Sequence, residues 1–436
     1  MFQYFNWALL FINVSFLFEK AKGNLVENII RNIVKGDVIH EENNNSNINV
    51  VSDKYLNVTQ LISNADDIIT LGPNNALPYL LANKCYDVWL GNVRGNKYSK
   101  KHVFLSPTEK TFWNFTFHEM GIYDAPAMID YALEKSNTTQ LTYIGHSQGT
   151  TVFYVMTSER PEYNKKITLM ISLATVAWLS HMISPTFRAL VAFQNSEYYL
   201  ANVLRYYDIL PYDAFWKFIT REFCSSSRFN IYLCASVLFT LFGFDYSQID
   251  LIHYPIEIGH IPAGAGAKQI LHYFQEVASG EFRQFDYGSR NMEAYGTVTP
   301  PRYPVENITV PIAIFYATND RLSAFSDVQI LIGKLKNIVV VYKVPFAKFN
   351  HTDYLWAKDA KKLVYEKIMT LLISPTKMPP VLASNQLRWK RLNSNEMPNP
   401  RRKPEMMTIR SQSFEFEESL IASFIILNQS CTERMV

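Results

Sequence analysis

Residues 140–159 read QLTYIGHSQGTTVFYVMTSE, and the fold turns on how that stretch divides. QLTYIG at 140–145 has the pattern of a buried strand, and GTTVFYVMTSE at 149–159 that of a helix. Between them lies Gly145-His146-Ser147-Gln148-Gly149. A G-x-S-x-G turn between a strand and a helix is sharp and strained. Small residues on both sides of the serine let it close, and its hydroxyl is held out over the helix N-terminus at the carboxyl end of the sheet. Ser147 is therefore a candidate nucleophile. His146, fixed beside the serine inside the motif, reads as a packing residue rather than a base.

Outward from the turn, the rhythm is strand and helix in alternation. CYDVWLGN at 85–92 is a short apolar run ending in Gly-Asn, a strand entering a loop. Residues 120–135 place Met128, Ile129, Ala132 and Leu133 on one helical face. ITLMISLATVAWLSHMIS at 167–184 reads as a buried strand plus its loop rather than a membrane span, because it carries Thr, Ser and His. Alternation of this kind implies a parallel sheet with crossover helices. Residues 186–285 interrupt it with an aromatic, helical stretch that includes the apolar run IYLCASVLFTLFGF at 231–244. That run reads as a segment covering the site, with packing onto the sheet as the alternative. Strands return at PIAIFYATND, 311–320, and IVVVYKVPF, 338–346, followed by the helix DAKKLVYEKIMTLL at 359–372.

A serine at its free pKa is a poor nucleophile; it needs a base, and the base needs an orienting acid. In strand–turn–helix sites of this type the chain order is serine, acid, histidine. Of nine histidines only His351 follows the last expected strand, in the loop PFAKFNHTDY. Asp320 ends the strand before it. Asp327 and Asp353 are the alternatives, and their places within or after helical segments read as solvated.

Composition narrows the rest. Hydrophobic residues are 48% and charged residues 19% of the 436, which excludes disorder over most of the chain. A net charge of +3 points to no nucleic-acid partner. Four cysteines in this length do not make a disulfide scaffold, and Cys85, at the start of a strand, reads as a free, inert thiol. WALLFINVSFLF at 7–18, followed by Ala21 and Gly23, reads as a signal peptide over 1–23. Sequons at Asn44, Asn57, Asn114, Asn137, Asn307, Asn350 and Asn428 agree with export. No transmembrane segment is expected in the mature chain. Beyond residue 374 the sequence turns basic and proline-rich, and 375–436 reads as a disordered basic tail.

Together these motifs resemble the acid lipase family, the gastric and lysosomal lipases. The resemblance covers about residues 65–373. It is carried by ADDIITLGPNNALPYLLANKCYDVWLGNVRGNKYSKKH, FWNFTFHEMGIYDAPAMIDY, GHSQGTT, IPAGAGAKQILHYFQEVASGEFRQFDYG, TPPRYPVENITVPIAIF, NDRLSAFSDV and FNHTDYLWAKDAKKLVY, in that order. It implies an α/β-hydrolase fold, a mostly parallel sheet with an inserted helical cap. The core would be 65–177 and 301–374, the cap 178–300. It implies Ser147 as nucleophile, Asp320 as acid and His351 as base, with the Gln148 backbone N–H in the oxyanion hole and a cap disulfide between Cys224 and Cys234. The implied substrates are triacylglycerols or sterol esters, met at a lipid–water interface. No metal or cofactor is implied, and the destination is secreted or lysosomal. The family's His-Gly-Leu motif, which supplies the second oxyanion donor, has no counterpart. The stretch Val58-Thr59-Gln60-Leu61-Ile62 stands there, so Gln60 takes the donor's place. The family's first strands are likewise replaced by the divergent segment 24–64. An impaired, lipid-binding relative of the lipases is the alternative this departure raises.

Overall fold

The computed structural model describes residues 66–192, 207–209, 214–261, 263–373 and the strand 419–428. The expected signal peptide, the segment 24–64 with Gln60 and the Asn44 and Asn57 sequons, and the remainder of the tail lie outside the described residues.

In chain order the strands are β1 (Tyr86–Asn92), β2 (Leu141–His146), β3 (Ile167–Leu173), β4 (Asp208–Ile209), β5 (Ala265–Gly266), β6 (Ile312–Tyr316), β7 (Ile338–Lys343) and β8 (Ser419–Asn428). Six of them form one sheet in the order β1-β8-β2-β3-β6-β7, while β4 and β5 pair apart. The ladders from β2 through β3 and β6 to β7 are parallel. Parallel neighbours need a long crossover, and helices provide it. The helices that matter for the site are α1 (Ala125–Lys135), α2 (Gln148–Glu159), α3 (Arg228–Phe242), α4 (Ala267–Ser279), α5 (Phe325–Lys334) and α6 (Glu366–Ile373).

Successive side chains of a strand face opposite ways, so a sheet covered on both sides builds two cores. Tyr143 of β2, Met170 of β3 and Ile312 and Ile314 of β6 pack against Ile129 of α1, Phe153 of α2 and Leu331 of α5. Their neighbours Ile144, Ile171, Ala313 and Phe315 face the other way, onto Val364, Tyr365 and Ile368. Large apolar side chains buried this fully contribute about 1.5–3 kcal/mol each. Both cores clamp the carboxyl ends of β2, β3 and β6, where the site residues emerge.

Two expectations fail here. The stretch 375–436 contributes a strand: β8 lies inside the sheet, antiparallel to both neighbours, with Tyr86 opposite Asn428 and Gly145 opposite Ser423. The basic run at 377–410 masks the apolar segment SLIASFIILN when the tail is averaged as one composition. Cys85 is disulfide-bonded, so it is not a free thiol. Its expected inertness rested on its strand position alone, which says nothing of a partner distant in sequence.

Between β3 and β6 the described chain is mostly helical. Its longest helix, α3, turns Ile231, Ala235 and Phe239 onto Tyr254 and Ile258 in a small core of its own. Cys224 and Cys234 are joined, with Cα atoms 5.8 Å apart, as the resemblance implies. Among the described residues no helix is long and apolar enough to cross a membrane.

Candidate active site

The turn from β2 into α2 is built as the motif demands. Ser147 has φ +51° and ψ −118°, a conformation few non-glycine residues adopt. It is held there on both sides. The Ser147 N–H donates to the Leu173 carbonyl of β3 at 3.0 Å, and the Ser147 carbonyl accepts from the Thr150 N–H at 2.9 Å. Gly145 is required by a close approach: a Cβ on it would stand 2.9 Å from the carbonyl carbon and oxygen of Gly149. The Thr150 hydroxyl accepts from the Val176 N–H and that of Thr151 donates to the Val176 carbonyl, so the loop after β3 is tied to the same turn.

The three residues picked from sequence order are brought together. Ser147 leaves the end of β2, Asp320 follows β6 and His351 follows β7. His351 Nε2 is 2.7 Å from Ser147 Oγ. His351 Nδ1 is 2.9 Å from Asp320 Oδ2 and 3.0 Å from Oδ1. A carboxylate only accepts, so Nδ1 carries the proton and Nε2 offers its lone pair to the serine hydroxyl. Asp320 Oδ1 also accepts from the N–H groups of Leu322 at 2.9 Å and Ser323 at 2.8 Å. Asp320 and His351 are buried, whereas Ser147 is half-buried and reachable. The arrangement can pass a proton from the serine hydroxyl to the imidazole and hold the resulting imidazolium against a carboxylate.

His146 sits behind this chain. Its Nε2–H donates to the His351 carbonyl at 2.8 Å. Burial, with His351 close by, pushes its pKa down to about 3, so it stays neutral and adds no competing charge. That is the packing role read from its position. Gln148 is the first residue of α2, where backbone N–H groups have no partner within the helix. Its side-chain oxygen accepts from Gln269 of α4.

The two rejected aspartates differ from expectation. Asp327 and Asp353 are buried, not solvated. Asp327 accepts from the Ser180 hydroxyl and the His181 N–H, and Asp353 from the Asn350 N–H at 2.7 Å. Burial and the neighbouring Asp245 hold the Asp353 carboxyl well above its usual range. Each pins a loop beside the site. Sequence position alone does not show that a first-turn aspartate folds back onto a neighbouring loop.

The sequence pattern described as the alpha/beta hydrolase fold matches residues 71–223. Lipase 3 of Drosophila melanogaster is 40% identical over 314 residues, covering 71% of this chain and 79% of that protein. Lipase 1 of the same organism is 38% identical, covering 72% and 69%. Gastric triacylglycerol lipase of Homo sapiens is 36% identical, covering 72% and 77%. The chain belongs to the acid lipase family. The fold is accordingly an α/β-hydrolase and the chemistry lipase-type ester hydrolysis.

Other residues of this lipase-family site were not found from sequence. Phe242, at the end of α3, stacks its ring on the His351 imidazole with centroids 5.7 Å apart and planes 14° from parallel. Asn319 and Asn350 flank the acid and the histidine and donate their side-chain amides to the carbonyls of Phe244 and Gly243. The available signal was the glycine closing the apolar run at 231–244, which marks the end of a helix.

Proposed function

We propose that the chain is a serine carboxylic-ester hydrolase acting on neutral lipids, triacylglycerols or sterol esters, through an acyl-enzyme. The continuous hydrogen-bonded line from Ser147 Oγ through His351 to Asp320 carries this reading. Ser147 Oγ attacks the ester carbonyl while its proton passes to His351 Nε2. The carbonyl oxygen becomes an oxyanion, and the Gln148 N–H, at the positive end of α2, donates to it. As the tetrahedral intermediate collapses, His351 returns the proton to the leaving alcohol. Water, deprotonated by the same imidazole, then releases the fatty acid. Asp320 fixes the Nδ1–H tautomer throughout.

Relatives that are gastric triacylglycerol lipases support the substrate class. The helical insertion acts as the cap, and its exposed Phe215, Phe218, Phe229 and Leu233 favour contact with a lipid phase. Disulfides and the exposed sequons Asn114, Asn137 and Asn307 favour a route through the secretory pathway. Release of oleate from emulsified trioleoylglycerol by the full chain tests the assignment. Steady turnover is expected. Hydrolysis of short soluble esters with no oleate released would overturn the neutral-lipid class.

A further inference from the structure

The turn that ends α3 makes more contact with the two site loops than a covering lid requires. The Phe242 carbonyl accepts from the Arg321 N–H at 3.2 Å and from the His351 N–H at 3.5 Å. The Gly243 carbonyl accepts from Asn350 Nδ2 at 3.0 Å. The Phe244 carbonyl accepts from Asn319 Nδ2 at 3.2 Å. Three successive carbonyls of the insertion thus hold the residues on both sides of Asp320, the residue before His351, and His351 itself. Rings reinforce them. Phe242 stacks on His351, and Phe244 lies beneath the Arg321 guanidinium at 4.9 Å.

Gly243 makes this approach possible. Its φ of +121° is one that side chains rarely tolerate. A Cβ there would stand 2.1 Å from the Asn319 carbonyl oxygen and 3.0 Å from Asn350 Cβ. A side chain at 243 must therefore push the strap off both loops by about 1 Å or more, since ordinary contact needs roughly 3.5–4.0 Å.

We propose that the strap Phe242–Gly243–Phe244 is a positioning element for the reaction. Resting on the site assignment above, it clamps the acid loop and the histidine loop together and so sets the Asp320–His351–Ser147 geometry. The cap is then coupled to the chemistry through the base, not only through access to the pocket. The strap residues act through the loops that carry His351 and Asp320.

The test uses the full chain and a soluble ester, 4-nitrophenyl butyrate, so that no interface enters. Gly243→Ala is expected to lower kcat by about 30–100-fold with KM changed by less than threefold, because a misplacement near 1 Å costs about that much. Phe242→Ala is expected to lower kcat by about tenfold, and Phe242→Tyr, which keeps the stacked ring, to recover most of it. Gly333→Ala, on α5 with open space around its Cβ, is the control and should leave kcat unchanged. If Gly243→Ala does not fold, Phe242→Ala and Phe242→Tyr decide the question alone. Should the folded variants keep kcat within threefold of the parent, or lose only KM, the clamp is wrong. A parent protein that neither hydrolyses the ester nor labels at Ser147 would instead remove the site assignment itself.

Discussion

Replacing Asp320 by Asn tests the orientation of the base with little change in volume. Oδ1 of Asp320 accepts from two backbone N–H groups, Leu322 at 2.9 Å and Ser323 at 2.8 Å. An asparagine must place its carbonyl oxygen at that position, since its NH₂ would otherwise face two donors. The NH₂ then takes the place of Oδ2, 2.9 Å from His351 Nδ1, and donates to it. The ring proton moves to Nε2, which stands 2.7 Å from Ser147 Oγ and no longer offers a lone pair. The base is present but in the wrong tautomer. Serine hydrolases in that state lose on the order of 10⁴ in kcat, roughly 5 kcal/mol of barrier. Steady-state hydrolysis of 4-nitrophenyl butyrate by the Asp320→Asn variant, with its thermal midpoint measured beside it, should show that loss without unfolding. A folded variant within tenfold of the parent would mean that Asp320 does not orient His351.

Three further outcomes are expected. Cys85 is bridged, Cys224 and Cys234 are joined to each other, and Cys431 is the one cysteine left of the four in the chain. Non-reducing peptide mapping should recover Cys85 in a cross-linked peptide, and a free Cys85 thiol would refute the bridge. Burial holds the Glu276 carboxyl well above its usual range, against the opposing charge of Arg283. A raised acid gives stability that is complete below its unfolded pKa of about 4.5 and is lost as pH rises toward the folded value. Glu276→Gln should therefore leave the thermal midpoint unchanged at pH 4 and raise it at pH 7; an equal change at both pH values would contradict the burial argument. Asn350 should carry no glycan although it begins a sequon. Its side chain is fully buried, with Nδ2 on Gly243 and Oδ1 accepting from Thr352 and Asp353, so occupied glycan found there by mass spectrometry in active protein would mean the histidine loop faces outward.

Much of the site was legible because its residues sit at strand ends in a fixed order. Ser147 is marked by a turn that only small neighbours permit, and His351 and Asp320 by being the histidine and aspartate that follow the last two parallel strands. What could not be read depends on contacts between distant segments. Asp327 and Asp353 look like solvated first-turn carboxylates until the loops at 180–181 and 350 fold over them. Strand β8 is a ten-residue apolar run behind a basic stretch, and nothing local says that it inserts between β1 and β2. The Phe242–Phe244 strap is invisible for the same reason, since carbonyl groups carry no sequence signature and only Gly243 hints at the close approach.

The central claim is that Ser147 is the nucleophile, activated through His351. The most direct measurement is covalent labelling of the full chain with a fluorophosphonate probe, with the modified peptide located by mass spectrometry. Labelling at Ser147 is expected, absent in Ser147→Ala and slowed on the order of 10³-fold or more in His351→Ala. Label that persists in folded Ser147→Ala, or that falls on a serine outside the turn between β2 and α2, would contradict the account.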